Sequence, residues 1–579
     1  MSGNYPIRRR NEKERCGAAR ALNQLVLITL ILITSLAFAR SPKLSKDLHK
    51  VSGNSFVDVI VQFKKRPTST HFNKVKAKGG ALKHDFRRTV KGGLFRIPAS
   101  ALDDLANDPD VAYVSLDRHL KGKVTETDFY EEAVNAAYAA NLGLDGSGIG
   151  VAVIDSGISP SSDFNGAGIQ SRVVYSENFV NLDPTDQYGH GTHVAGIIAG
   201  NGNNSRGAGF TMTFTGIAPN ATLISLKVLD QHGGGTDSGL IAAIQKAIEL
   251  KSTYNIRVIN LSVGRAVYEN YTVDPLCQAV EAAWNAGIVV VVAAGNDGRN
   301  NAAGTNGYGT INAPGNDPYV ITVGAMKSMN SATRADDLIA SFSSKGPTLV
   351  DHIAKPDIVA PGNKIISVLA STGVTLFTSF PLNALPTNYY SASGTVLPST
   401  HYFMLSGTSM ATPVVSGAAA LLLQQEPSLT PDQVKARLMK TSYKVFPSSS
   451  SSTDAVTGIT YTSYYDMFTV GAGYLDIQAA LESTDDAPAT TGSAKSPSIG
   501  YDATTGIAYV ISDPTTIWSN SATFDASTVW GNSVLSGTAI NGQSVLSGNS
   551  VLWGDSVLWG DSVLWGDSVL WGDSVLLGD

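Results

Sequence analysis

Short runs of Val, Ile and Leu recur along the middle of the chain, at Gly150–Ile154, Thr222–Leu229, Val258–Leu261, Ile288–Ala293 and Tyr319–Val323. They are too short for helices and apolar on both faces, as strands inside a parallel sheet are. Ala-rich stretches with helical spacing lie between them, such as Gly239–Leu250 and Leu276–Ala286. The alternation predicts an α/β domain over residues 124–483, a mostly parallel sheet with helices on both faces. A further apolar run, Ala411–Leu423, is long and Ala-rich enough to be a buried helix.

Upstream, Val57, Val59, Val61 and Phe63 alternate with Asp58 and Gln62, the period of a half-buried strand. A basic helix-like stretch, a break at Gly79 and Gly80, LeuPheArgIlePro, SerAlaLeuAspAspLeu and ValAlaTyrValSerLeu follow. Their order of strand, helix, strand, strand, helix, strand predicts a small α+β module at about residues 56–119, within a segment running from 40 to 123.

The ends read differently. Residues up to about 20 are polar and basic, and Leu25–Leu36 is apolar, followed by AlaPheAla and Arg40. This pattern predicts a secretory signal over residues 1–39, cut after Ala39. A retained anchor is the alternative, against which stands a run shorter than the ~20 residues a spanning helix takes. Cys16 would leave with the signal, and Cys277, at helical spacing from Val280 and Trp284, is expected as a core thiol.

At the other end, residues 484–529 are expected to form an Ala/Ser/Thr/Pro-rich linker and an uncharacterised segment. Residues 530–579 carry a six-residue repeat, cleanest as SerValLeuTrpGlyAsp from Ser550 to Asp573. An even period keeps each unit in the same strand phase, with Val and Trp on one face. Stacked short strands would bury them, which suggests self-association or cell-surface attachment; a sticky low-complexity end is the alternative. The chain of 579 residues carries a net charge of -6, and its central region has no basic stripe, which argues against a nucleic-acid binder.

Candidate chemistry sits where the apolar runs end. ValAlaValIleAspSerGly delivers Asp155 to a Gly-containing turn, HisGlyThrHisValAlaGly opens a small-residue stretch with His190, and GlyThrSerMetAlaThrPro places Ser409 at a helix start. Negative charge developing beside Ser409 would be stabilised by the free N–H groups there. Taken singly, each is commonly a cap or a structural turn; together they supply an acid, a base and a hydroxyl. The three stretches resemble the active-site signatures of the subtilisin family of serine peptidases, whose chain order of Asp, His, Ser they share.

The resemblance implies that Ser409 attacks a peptide carbonyl, that His190 carries the proton, and that Asp155 orients the imidazole. It implies an oxyanion-hole role for Asn296 in AlaAlaGlyAsnAspGly, and a substrate-binding role for Ser262, Val263 and Gly264 on one wall and Ala293, Ala294 and Gly295 on the other. The α+β module resembles the ferredoxin-like propeptide of that family, an intramolecular inhibitor cut away near Arg118–Lys123. Polypeptide substrates and no cofactor are expected. A structural calcium is doubtful, because the loop Asn201–Thr215 is longer than the calcium loop of well-known subtilisins and lacks its carboxylates. Ser371–Met404 is expected as an insertion forming a rim or lid. A non-catalytic adhesion or assembly protein on a peptidase-like scaffold is the competing reading, and the full set of Asp155, His190, Asn296 and Ser409 argues against it.

Overall fold

The computed structural model describes residues 41–530, apart from 46–47, 49–52, 54, 88–90, 118–129, 167–169, 181–182, 300–305, 455–456, 488–491, 503–506 and 522. The expected signal, the processing region near Arg118–Lys123 and the repeats beyond Trp530 lie outside the described residues. The chain divides into two compact units, one up to Val124 and one from Thr125.

The first unit runs β1 (Phe56–Phe63), α1 (Ser69–Ala77), β2 (Ala81–Phe86), β3 (Gly92–Pro98), α2 (Leu102–Ala106) and β4 (Val111–Leu116). Its strands form an antiparallel sheet in the order β2-β3-β1-β4. Val59, Val61 and Phe63 meet Phe72 and Val75 of α1 and Leu102 and Leu105 of α2 in one core, so the alternation along β1 selects the face that the helices cover.

In the second unit β5 (Gly150–Asp155), β6 (Val173–Asn178), α3 (His190–Ala199), β7 (Thr222–Lys227), α4 (Asp237–Tyr254), β8 (Ile256–Leu261), α5 (Pro275–Asn285), β9 (Val289–Ala293) and β10 (Ile321–Lys327) follow in turn. The strands lie side by side as β10-β9-β8-β5-β7-β6, every neighbouring pair parallel. From β5 the chain passes to the outermost strand β6, returns to β7 between β6 and β5, then crosses to β8, β9 and β10 on the other side. Crossovers diverge on the two sides of β5, which opens a crevice at its carboxyl end. Asp155 is the last residue of β5.

Two strands extend the β10 edge, β11 (Leu338–Ile339) antiparallel and β12 (Ile358–Pro361) parallel. Downstream, the segment expected as a rim or lid is built into the body. Its strands β14 (Ala384–Pro386) and β15 (Pro398–Leu405) form an antiparallel sheet with β13 (Ile365–Val368). Tyr390 and Tyr402 pack on Phe214 from the loop Asn201–Thr215. Tyr402 Oη donates to Asp163 Oδ2 at 2.8 Å, and the Asn204 N–H donates to Asp163 Oδ1 at 2.7 Å. The insertion is thus a brace on that loop.

Helix α6 (Thr408–Gln425) is buried from Thr408 to Leu423, a helix apolar all round at the centre of its unit. It packs on α3, β8, β9 and β10. After it comes α7 (Pro431–Thr441), whose Lys435 is fully buried: its ammonium donates to the carbonyls of Pro318, Tyr319 and Val320 at 2.8, 3.1 and 3.0 Å and to Ser496 Oγ at 2.9 Å. Asp357 completes the hub, 3.2 Å from Lys435 Nζ and 2.7 Å from Lys355 Nζ.

Ser496 belongs to the stretch expected as a linker, and here the structure corrects the sequence reading. Ala487, Ala494, Ile499, Ala508, Ile517, Trp518, Phe524, Val529 and Trp530 form a second core with Tyr308, Met439, Met467 and Phe468. Small and apolar residues dispersed among Ser and Thr suffice, because each reaches a site prepared by the preceding domain. Trp518 and Trp530 meet edge to face with centroids 5.1 Å apart, and Trp518 Nε1 donates to the Lys495 carbonyl. Trp518→Ala is expected to cost about 3–5 kcal/mol in chemical unfolding. A change below about 0.5 kcal/mol, the range of ordinary surface substitutions, would remove Trp518 from this second core.

Candidate active site

Each candidate side chain stands at the end of an element the fold holds rigidly. Asp155 closes β5, all six of whose residues are buried. His190 is the first residue of α3, entered through Gly189 at φ 102°, a left-handed conformation that suits glycine; a Cβ there would lie 2.6 Å from Val374. His190 Nδ1 lies 2.8 Å from Asp155 Oδ1, with both side chains buried. The Ser156 N–H donates to the same oxygen at 2.7 Å, fixing the carboxylate against its own backbone.

Burial works against the His190 imidazolium, but the charge and hydrogen bond of Asp155, with Asp186 behind, outweigh it and hold the titration above the ordinary histidine value. The second histidine of the motif behaves oppositely. His193 is buried with Nε2 at 3.0 Å from the Phe403 carbonyl and 3.2 Å from that of Ile365, and burial, then the charge of His190, pulls it down to about 3. It is a neutral tie between α3 and the β13–β15 sheet.

Ser409 lies in the first turn of α6, beside α3. Its Oγ donates to the Ser262 carbonyl at 3.2 Å, while Ser262 Oγ donates to the Ser409 carbonyl at 2.8 Å. Behind this pair, Asn260 Nδ2 donates to Ser262 Oγ at 3.0 Å and Ser416 Oγ to Asn260 Oδ1 at 2.9 Å. Sequence reasoning missed Asn260 and Ser416; they lie inside apolar runs, where a lone polar residue gives no periodic signal.

Asn296 follows β9. Its Oδ1 accepts the Thr408 N–H at 2.9 Å and Thr408 Oγ at 3.1 Å. The amide lies against the Gly407–Thr408 turn, with Nδ2 3.5 Å and Oδ1 3.7 Å from where a Gly407 Cβ would be, and the oxygen's engagement with Thr408 leaves Nδ2 as the donor there. A donor beside the Ser409 turn is what an oxyanion hole requires. The register Leu261↔Val292 between β8 and β9, continued by one residue, brings the Ser262–Gly264 segment alongside Ala293–Gly295. Val263 is half-buried and Gly264 exposed, open to a peptide backbone. Gly295 has φ 109°, and a Cβ on it would stand 2.8 Å from Asn312 Nδ2 and Ser344 Oγ, so this wall has no space for a larger residue.

Residues 146–466 match the family model described as the subtilase family. The chain belongs to the subtilase family. It is 36% identical to serine protease AprX of Bacillus subtilis (strain 168) over 405 residues, 67% of this chain and 83% of that protein. Identity to subtilisin E of the same organism is 32% over 464 residues, 79% of this chain and 98% of that protein. An alkaline protease of Alkalihalobacillus alcalophilus is 33% identical over 362 residues, 62% and 76% of the two chains. Among solved structures, a cold-adapted subtilisin-like serine proteinase matches at 29% identity and a TM-score of 0.36, covering 52% of this chain and 84% of that one. This subtilase is a serine endopeptidase acting on polypeptides.

Asn296→Ala is expected to lower kcat by about 100- to 1,000-fold with KM little changed, a range measured on a subtilisin and carried over from it. Steady-state kinetics on a chromogenic peptide would test this, and an effect confined to a rise in KM, with kcat unchanged, would remove Asn296 from the oxyanion hole.

Proposed function

We propose that this subtilase is exported, matures itself, and hydrolyses peptide bonds through an acyl-enzyme on Ser409. The observation that carries the reading is the 2.8 Å contact between His190 Nδ1 and Asp155 Oδ1, formed at the start of a helix packed against the one that bears Ser409. Ser409 Oγ turns from the Ser262 carbonyl to His190 and attacks the scissile carbonyl, and its proton passes to His190 Nε2. Negative charge on the former carbonyl oxygen is received by Asn296 Nδ2 and the Ser409 N–H. His190 returns the proton to the leaving amine, and water repeats the sequence on the ester.

Ser262–Gly264 and Ala293–Gly295 hold the residue before the scissile bond, the substrate strand pairing with the first of them. The wall is made of small side chains, which supports broad specificity with an apolar preference. The N-terminal α+β unit acts as the propeptide and intramolecular inhibitor, and the repeats beyond Trp530 mediate attachment or self-association. Secretion fits the basic and apolar N-terminal segment; among the described residues no helix is long and apolar enough to cross a membrane.

Calcium is left out of this reading. Among the described residues two carboxylates reach the loop Asn201–Thr215, and both are already engaged: Asp163 accepts hydrogen bonds on both oxygens, and Glu131 Oε1 accepts Thr215 Oγ at 2.9 Å. A chelator is therefore expected to leave the unfolding temperature of Ser409→Ala protein unchanged, and a drop of several degrees would put a structural cation back.

Wild-type protein is expected to lose an N-terminal fragment ending near Lys123, by mass spectrometry, and to digest casein, while Ser409→Ala does neither; processing by the Ser409→Ala protein would dismiss self-maturation. Since imidazole must be neutral to accept the proton, activity should fall as pH drops through a midpoint above the ordinary value of about 6.5. Activity that stays flat down to about pH 4 would exclude a histidine base.

A further inference from the structure

Four residues before His190 lies a second buried carboxylate, Asp186, 2% exposed. It takes four donors. Oδ1 accepts Ser156 Oγ at 2.8 Å and the Gly189 N–H at 2.7 Å, and Oδ2 accepts the Thr192 N–H at 2.9 Å and Thr192 Oγ at 2.7 Å. The partners carry the connection further. Ser156 Oγ accepts the Gly191 N–H at 2.8 Å, and Thr192 Oγ accepts the Ser159 N–H at 2.9 Å.

These contacts occupy particular places. Ser156 is the residue after Asp155; Gly189 and Gly191 are the residues on either side of His190; Ser159 lies in the turn that leaves β5. The hydrogen bond between Asp155 and His190 joins two elements, and this second carboxylate fastens those same elements together on both flanks of the bond. A rigid pair is needed because a misplacement of about 1 Å costs roughly 100-fold in rate.

Charge gives a second reason. His190 becomes an imidazolium during the reaction at the first position of α3, where the positive end of the helix dipole opposes it. A carboxylate bonded to the N–H groups of Gly189 and Thr192 sits on that end and offsets it.

We propose that Asp186 is a positioning residue for the reaction: it clamps the Asp155 turn to both sides of His190 and places a fixed negative charge at the helix end on which the imidazolium forms. This rests on the endopeptidase mechanism above. The charged and titratable groups around the pair include Asp155 from β5, His193 on α3 itself, the buried Tyr188, whose ring centroid lies 6.2 Å from that of His190, and Lys227 at the end of β7, whose Nζ is held by the carbonyls of Asp183 and Thr185 at 2.9 and 2.7 Å.

The test measures kcat, KM and the pH profile of kcat/KM on a chromogenic peptide for wild type, Asp186→Asn and Ser156→Ala, with thermal unfolding as the check on folding. Asp186→Asn removes the charge and half of the acceptors. Its kcat is expected to fall about 10- to 100-fold with KM within about twofold, and its acidic limb to move to lower pH. Ser156→Ala keeps the charge and removes one tether, so kcat should fall while the acidic limb stays in place. A folded Asp186→Asn protein with kcat within about twofold of wild type and an unmoved limb overturns the proposal. If Asp186→Asn does not fold, wild-type kcat in Ser156→Ala overturns it instead. An inactive wild type would overturn the endopeptidase mechanism as well, whereas an active wild type beside unaltered variants overturns this inference alone.

Discussion

A single hydrogen bond between residues 35 apart in the chain, His190 to Asp155, sets the tolerance to which the second unit has to be built. Neither partner can adjust by moving alone. Asp155 is the end of a strand buried on both faces, and His190 begins a helix in which every residue is buried. A parallel sheet suits the task, because its strands deliver side chains at one edge while the crossovers pack on both faces. The switch at β5 leaves that edge open to a peptide.

Buried polar groups do the joining elsewhere, and each stands at a seam between segments far apart in sequence. Asp163 links the turn after β5 to the loop Asn201–Thr215 and, through Tyr402, to the β13–β15 sheet. Asp186 links β5 to α3. Asp357 links β12 to α7 and to the C-terminal segment through Lys435 and Ser496. Unpaired, any of these would be costly to bury; with four partners, as Asp186 has, the group fixes one arrangement among the many a purely apolar seam would allow.

Much of this was legible in the residues. The strands of the parallel sheet show as apolar runs because both faces are buried, and Asp155, His190, Asn296 and Ser409 stand at their ends or at helix starts with recognisable neighbours. Where one face meets water the signal weakens: β6, half exposed at the sheet edge, has the mixed sequence ValValTyrSerGluAsn and went unread. Asp186 could have been suspected as a carboxylate shortly before a helix, but nothing local says that Ser156 and Thr192 converge on it. The C-terminal segment misled for a different reason. Its composition resembles a linker, and only the apolar sites waiting on Met439 and Phe468 turn Ile517, Trp518 and Phe524 into a core.

The Lys435 ammonium has the surroundings that proteins elsewhere offer to a bound metal ion: backbone carbonyls, a hydroxyl and a carboxylate, closed off from water. A dissolved ion stabilises a fold only in proportion to its occupancy, so its contribution changes with the medium. Tethered to α7 by its own methylene chain, this cation keeps the same local concentration in dilute buffer, in a chelating environment or outside a cell. The segment it anchors inherits that independence of dissolved ions and answers instead to pH, since burial pulls Lys435 down to about 7.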